Sequence, residues 1–290
     1  MWYHKPMKTI DVHTHGIGGF DTTAVSENDI LRIAEIHGSL GVSEIIPTVY
    51  PSTIGKMREN MQTIKDAMAL QRPGGTGARI AGINLEGPFL NPARCGALNA
   101  DSFTAPDISR SKELLEGFED VVRIMTVSPE LDGAPALIRA ISGMGIIVGM
   151  GHSDATYSEA EEGFNSGARG ITHIFNAMRG IHHREPGIAG FGLMNKDIYI
   201  EVIADPFHLD PRLIEFIFSV KDPGRIIIIS DSVRDTKTEA VSDGIMNGEG
   251  RLMGGSLTVT ESAERLINAG IDKGIVMRAI SENPERYLLT

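Results

Sequence analysis

Residues 8–49 read KTIDVHTHGIGGFDTTAVSENDILRIAEIHGSLGVSEIIPTV, and their pattern sets the expectation for the whole chain. Lys8 to His13 is a short β-branched run that reads as a strand. Ser26 to Leu40 reads as a helix: Ile30, Leu31, Ile33, Ala34 and His37 recur at helical spacing, with Ser26 as N-cap. Ser43 to Val49 returns to a strand. The alternation then continues. Further strands are expected at 79–85, 121–127, 146–150, 170–175, 198–203 and 225–229. Further helices are expected at 52–70, 111–118, 134–144, 158–166, 211–219, 257–269 and 273–281. Residues 73–77, 87–106 and 178 to about 192 read as loops, the last rich in His, Gly and Pro. Strand–helix alternation predicts a parallel sheet, and eight such units predict a closed (β/α)8 barrel, a TIM barrel, over a single domain of residues 1–290. A doubly wound open sheet is the alternative.

The composition agrees. The chain has 290 residues, 41% hydrophobic and 22% charged, which are globular values and exclude a disordered chain. With 38 acidic and 27 basic side chains the net charge is −11, which argues against a nucleic-acid partner. The single cysteine, Cys95, permits no intrachain disulfide. No apolar run approaches a membrane span, and Met1 to Ile10 lacks the apolar core and cleavage site of a secretory signal. A cytoplasmic protein without a membrane partner is expected.

In a barrel of this kind chemistry sits at the C-terminal ends of the strands. The first strand ends in His13-Thr14-His15, the third in Asn84-Leu85-Glu86, and the fifth in Gly151-His152-Ser153. The sixth carries His173, the seventh leads to Asp205 and His208, and the eighth ends in Ser230-Asp231. A lone His-x-His or Glu-Gly-Pro is a weak signal. Polar residues converging on one rim from several strands are a stronger one. Imidazole and carboxylate together suit Zn or Fe(II). His13 and His15, two apart on an extended chain, point to the same side and can grip one metal. His152 and His173 can grip a second, Glu86 could bridge the two, and Asp231 could hold a metal and take a proton from bound water. One or two ions are compatible with this set.

These segments carry a resemblance. Residues 11–16 (DVHTHG), 84–91 (NLEGPFLN), 151–156 (GHSDAT), 172–178 (THIFNAM), 184–190 (REPGIAG), 203–205 (IAD) with His208, Ser230-Asp231 and 254–258 (GGSLT) are similar, in order and approximate spacing, to the N-acetylglucosamine-6-phosphate deacetylase family of the amidohydrolase superfamily. The resemblance implies that Glu86, His152 and His173 are the main metal ligands, that His13 and His15 are the second-metal pair found in some members, and that Asp231 is the catalytic carboxylate. It implies that Asn176, Ala177, Arg184 and His208 contact substrate, with Arg184 reaching a sugar phosphate across a homodimer interface. The implied activity is hydrolysis of the acetyl group of an N-acetylated amino-sugar phosphate by metal-activated water, Asp231 acting as general base and then acid.

Two departures stand out. Where the family shows Lys-Gly-x-His-x-Pro, residues 95–100 read CGALNA, so Leu98 occupies the place of a histidine that helps polarise the substrate carbonyl. The family's flanking β-sandwich also has no counterpart between residue 8 and Thr290, so a barrel-only form is expected. These departures leave two further readings: an amidohydrolase for a different amide, cyclic amide or lactone, and a sugar-phosphate-binding barrel without turnover.

Overall fold

Runs of apolar, β-branched residues that are buried along their whole length form the inner wall of the molecule. The computed structural model describes residues 8–23, 26–72, 74–238 and 244–290, so Pro73 of the expected 73–77 loop and most of the N-terminal stretch lie outside the described residues. The barrel strands are β1 (Ile10–Thr14), β2 (Glu44–Val49), β3 (Ile83–Glu86), β4 (Val122–Val127), β5 (Ile147–Met150), β6 (Gly170–Ile171), β7 (Tyr199–Ile203) and β8 (Ile226–Ile229). Each pairs in parallel with the next, in chain order. The first and last strands meet just past their ends: Thr14 bridges Ser232 in parallel, the His15 amide donates to the Ser232 carbonyl at 2.7 Å, and the Asp231 amide donates to the His13 carbonyl at 2.9 Å. The open doubly wound sheet is thereby excluded.

Among the described residues ten helices wrap this wall: α1 (Glu27–Ser39), α2 (Ile54–Leu70), α3 (Ile108–Leu115), α4 (Ala134–Ser142), α5 (Tyr157–Asn165), α6 (Gly187–Met194), α7 (Pro211–Val220), α8 (Val259–Asn268), α9 (Lys273–Ala279) and α10 (Glu282–Tyr287). Ser26 caps α1 by accepting from the Asp29 amide, and Thr156 and Thr258 close reciprocal capping boxes with Glu159 and Glu261. Side chains alternate across each strand. Ile45, Leu85, Met125 and Val148 pack outward under the helices, while Ile46, Ile124, Ile147, Ile227 and Ile229 fill the barrel. Tyr287 of α10 closes the floor against Tyr199, with ring centroids 5.0 Å apart. It sits so close to β6 that a Cβ on Gly170 would lie 2.2 Å from its hydroxyl.

Several expectations are corrected. The third strand is broken: Arg79–Ile80 pairs with β2, and the chain kinks at Gly82 (φ 149°) before β3 resumes. The sixth strand stops at Ile171, because His173 takes φ 31° and the chain turns out of the sheet. The segment expected as loop to residue 192 contains α6. Its sequence, GIAGFGLM, has no polar face and so no helical period to read. It forms a helix because Ile188, Ala189, Phe191 and Leu193 are all buried, Phe191 edge-on to Tyr157 at 5.3 Å. Each such side chain contributes about 1.5–3 kcal/mol on burial. α10 and a small hairpin pairing Gly16–Ile17 with Phe20–Asp21 are too short to leave a periodic signal. Among the described residues, no helix is long and apolar enough to cross a membrane.

Candidate metal centre and active site

Five strands deliver the polar residues to one end of the barrel. His13 lies within β1 and His15 follows it, Glu86 ends β3, and His152, His173 and Asp231 each stand two residues beyond β5, β6 and β8. Those last three share a left-handed backbone, with φ of 48°, 31° and 46°. That conformation costs a non-glycine residue of order 1–3 kcal/mol, and it persists where surrounding structure enforces it, as at functional sites. The same kink at three strand ends turns each side chain inward across the mouth.

Two clusters result: Glu86 with His152 and His173, and His13 with His15 and Asp231, all buried. His152 Nε2 and His173 Nε2 each stand 3.0 Å from Glu86 Oε1 and 3.1 Å from one another. In the second cluster His13 Nε2 and His15 Nε2 are 3.3 Å apart, and Asp231 Oδ1 is 3.3 Å from the former and 3.6 Å from the latter. Glu86 links the clusters, since its Oε2 lies 3.2 Å from His15 Nε2.

The tautomers follow from the outer partners. His152 Nδ1 is 2.9 Å from the Arg94 carbonyl, and His15 Nδ1 is 3.0 Å from the Thr48 carbonyl. A carbonyl only accepts, so each Nδ1 carries the hydrogen and each Nε2 presents a lone pair. A bare Nε2 at 3.0 Å from a carboxylate oxygen sets acceptor against acceptor. A cation between them converts that conflict into coordination, so the donor set fits a divalent metal. Burial lowers the pKa of His13 to about 4 and also lowers those of His15 and His173, keeping all three neutral as ligands must be. Burial alone would raise Glu86, but the facing imidazoles, His152 first, hold it well below the usual carboxylate range.

Beneath and beside the clusters lie buried carboxyls whose charged form burial disfavours. Asp11 is raised to about 7 and Glu201 to about 8, both chiefly by burial. Asp231 is pushed well above its ordinary value, by burial and then by Glu86. Glu201 Oε2 stands 3.5 Å from His13 Nδ1, and neither atom has a hydrogen-bond partner among the described residues. A cation above relieves this group as a whole.

The clusters open into a cavity of about 330 Å³, lined by His15, Glu86, His152, His173 and Asp231 together with Tyr50, Leu98, Asn176, Ala177, His208 and Met253 among others. This size suits a small-molecule site. Asn176, Ala177 and His208, expected as substrate contacts, thus lie in the cavity wall. His208 is held by Asp205, whose Oδ2 is 3.0 Å from its Nδ1, while its Nε2 lies 3.3 Å from the Met253 carbonyl. Arg184 is not brought into the cavity. It is exposed on the loop after β6, with its Nη1 3.0 Å from His183 Nε2, and among the described residues no Lys or Arg lines the cavity wall.

The sequence reading missed two residues here. Tyr50, just past β2, stacks on His15 with ring centroids 3.8 Å apart at 12°. The second strand end carries no metal-type residue and was passed over, although the strand-end rule pointed there too. Glu201 is a charge in the middle of the apolar strand Tyr199–Ile203, and that mismatch was its available signal.

No protein-family model matches the chain. Curated relatives include an N-acetylgalactosamine-6-phosphate deacetylase of Escherichia coli O157:H7, 28% identical over 96% of this chain and 76% of that protein. They also include an N-acetylglucosamine-6-phosphate deacetylase of Bacillus subtilis, 29% identical over 93% of this chain and 66% of that protein. This chain therefore spans about two thirds to three quarters of those relatives' length. Among solved structures, N-acetyl-D-glucosamine-6-phosphate deacetylase of Mycobacterium smegmatis superposes with a TM-score of 0.90 at 26% identity, covering 97% of this chain and 78% of that one. A mutant of that enzyme in complex with N-acetyl-D-glucosamine-6-phosphate superposes with a TM-score of 0.89 at 26% identity, covering 97% of this chain and 77% of that one. With an N-acetylglucosamine-6-phosphate deacetylase of Lysinibacillus sphaericus 30% identical over 92% of this chain and 66% of that protein, likeness in both sequence and backbone places the chain in the N-acetylglucosamine-6-phosphate deacetylase family of the amidohydrolase superfamily.

Proposed function

We propose that this chain, acting as one barrel domain, is a metal-dependent deacetylase that hydrolyses the N-acetyl group of an amino-sugar phosphate, N-acetylglucosamine 6-phosphate or a close relative. The observation that carries this reading is the pair of histidine–carboxylate clusters joined by Glu86 at the base of a ligand-sized cavity. Glu86, His152 and His173 would hold one divalent ion, and His13, His15 and Asp231 a second, with Zn or Fe(II) suited to both donor sets. The ions, when bound, supply an acidified water and a Lewis acid for the carbonyl oxygen.

The remaining steps belong to side chains. Asp231 directs Oδ1 toward His13 and His15, and its Oδ2 takes the proton of the attacking water and returns it to the leaving amine nitrogen. His208, clamped by Asp205, and Asn176 position the sugar from the cavity wall. Arg184 faces outward, and its planar guanidinium suits the phosphate of a substrate held in the other subunit of a homodimer. A cytoplasmic setting accords with the lone Cys95.

The test is acetate release from N-acetylglucosamine 6-phosphate by the metal-reconstituted protein, with metal content measured in parallel. Release that falls roughly 10²–10⁴-fold in Asp231→Asn, with at least the ion of the Glu86–His152–His173 cluster retained, supports the reading. No release by the fully metal-loaded protein overturns it. A second reading, hydrolysis of a different amide, cyclic amide or lactone, is favoured by Leu98 in the cavity wall and by the absence of a lysine or arginine there among the described residues. Turnover confined to unphosphorylated, non-sugar substrates would establish it.

A further inference from the structure

Most polar groups in the cavity wall are already engaged. Both ring nitrogens of His208 face acceptors, the Asp205 carboxylate and the Met253 carbonyl. The Asn176 amide nitrogen is spent on the carbonyls of His173 and Ile174, each at 3.3 Å. The Nε2 atoms of His152 and His173 point at Glu86, and Asn99 is exposed. Leu98 offers nothing polar. Tyr50 differs from all of these: it lines the same wall, it is half-buried, and its phenol hydroxyl donates to no described residue.

Its position is also fixed. The Thr48 carbonyl, two residues earlier, accepts from His15 Nδ1 at 3.0 Å and from Thr22 Oγ1 at 2.6 Å. The Tyr50 ring then stacks face to face on the His15 imidazole at 3.8 Å. The phenol is therefore held rigidly against the very cluster around which the reaction is organised, as a preorganised donor must be.

Resting on the deacetylase reading above, we propose that Tyr50 is a further catalytic residue: its Oη–H donates a hydrogen bond to the carbonyl oxygen of the scissile amide as negative charge develops there. It supplies from the end of β2 the neutral donor that the loop carrying Leu98 lacks. No proton is transferred in this step; the hydrogen bond shortens as the carbonyl carbon becomes tetrahedral and negative charge gathers on its oxygen, and it lengthens again when the carbonyl reforms.

The experiment compares wild type, Tyr50→Phe and Tyr50→Phe/Leu98→His, all metal-loaded, for acetate release, metal content, and affinity for two probes. The probes are the methylphosphonamidate of glucosamine 6-phosphate, a tetrahedral mimic, and glucosamine 6-phosphate itself. Phenylalanine keeps the stack on His15, so metal content is expected to stay unchanged. The kcat is expected to fall roughly 10²–10³-fold, the loss typical of one oxyanion donor, with KM within about twofold. The tetrahedral probe weakens by a similar factor, the product probe binds equally, and the added histidine restores part of the loss. A Tyr50→Phe kcat within about threefold of wild type, or loss of metal from that variant, overturns the proposal. If wild type releases no acetate, the deacetylase reading falls separately. The role of Tyr50 is then read from the two probes, and equal affinity of wild type and Tyr50→Phe for the tetrahedral one overturns it.

Discussion

Glu86, His152 and His173 meet at 3.0 to 3.1 Å, whereas His13, His15 and Asp231 stand 3.3 to 3.6 Å apart. The closer cluster is braced from the loops. The Arg94 carbonyl fixes His152, and Arg94 is itself held, with Arg179, on Asp154. The wider cluster is braced from inside the barrel and from one side, by Glu201 beneath His13, the Thr48 carbonyl behind His15, and the Tyr50 ring over it. Each half has one histidine fixed by a main-chain carbonyl; the wider half adds a buried carboxyl beneath and a stacked ring beside it. The difference teaches that the first half is organised for a cation independently of the second, while the second depends on the charge behind it.

Removing the one residue the halves share has the largest effect expected. Glu86→Ala should lose metal from both clusters and abolish acetate release, as plasma emission spectrometry and the activity assay would show; retention of one full equivalent would mean that the halves do not share Glu86. His13→Asn with His15→Asn should cost one equivalent and keep the other. Activity should fall by less than in Glu86→Ala, so an unchanged metal content in that double variant would leave the second cluster without a role. Glu201→Gln is subtler. It keeps the shape but removes the carboxylate beneath His13 Nδ1, so metal affinity of the second cluster should weaken by roughly 10–100-fold in a chelator competition, with the first unmoved. Equal weakening of both would contradict the separate bracing.

The smallest effect is at Asp154. Hydrogen bonding from Arg179, then Arg94, outweighs modest burial and holds its carboxyl at about 2, below the ordinary 3.8. A depressed carboxyl stabilises the fold above its unfolded value, and that increment is lost as pH falls from about 4 through 2. The pair is partly exposed, so the gain is at most about 1 kcal/mol. Urea midpoints of wild type and Asp154→Asn should therefore differ slightly at pH 7 and converge only as pH falls to about 2; a gap that widens on acidification would refute the assignment.

Much of the site was legible before the fold was seen, for a specific reason. In a parallel barrel, a polar residue after an apolar run marks the catalytic rim, so His13, His15, Glu86, His152, His173 and Asp231 could each be read one strand at a time. Tyr50 and Glu201 escaped because they do not look like ligands on their own strands; their meaning lies in His15 and His13, which come from another strand. Arg184 was named from similarity, and the structure leaves it outside the cavity. Helix α6 escaped because a segment buried on every side carries no period.

The amino-acid sequence by itself determined the alternation of strand and helix, the cap at Ser26, and which residue types arrive at each strand end, because these are local consequences of backbone propensity and side-chain period. Only the tertiary structure decided that β8 closes onto β1, that His152, His173 and Asp231 adopt left-handed backbones, and that Glu86 faces both clusters. Those features depend on distances between segments as many as 219 residues apart, such as Asp11 and Ser230, and no local preference encodes such a distance.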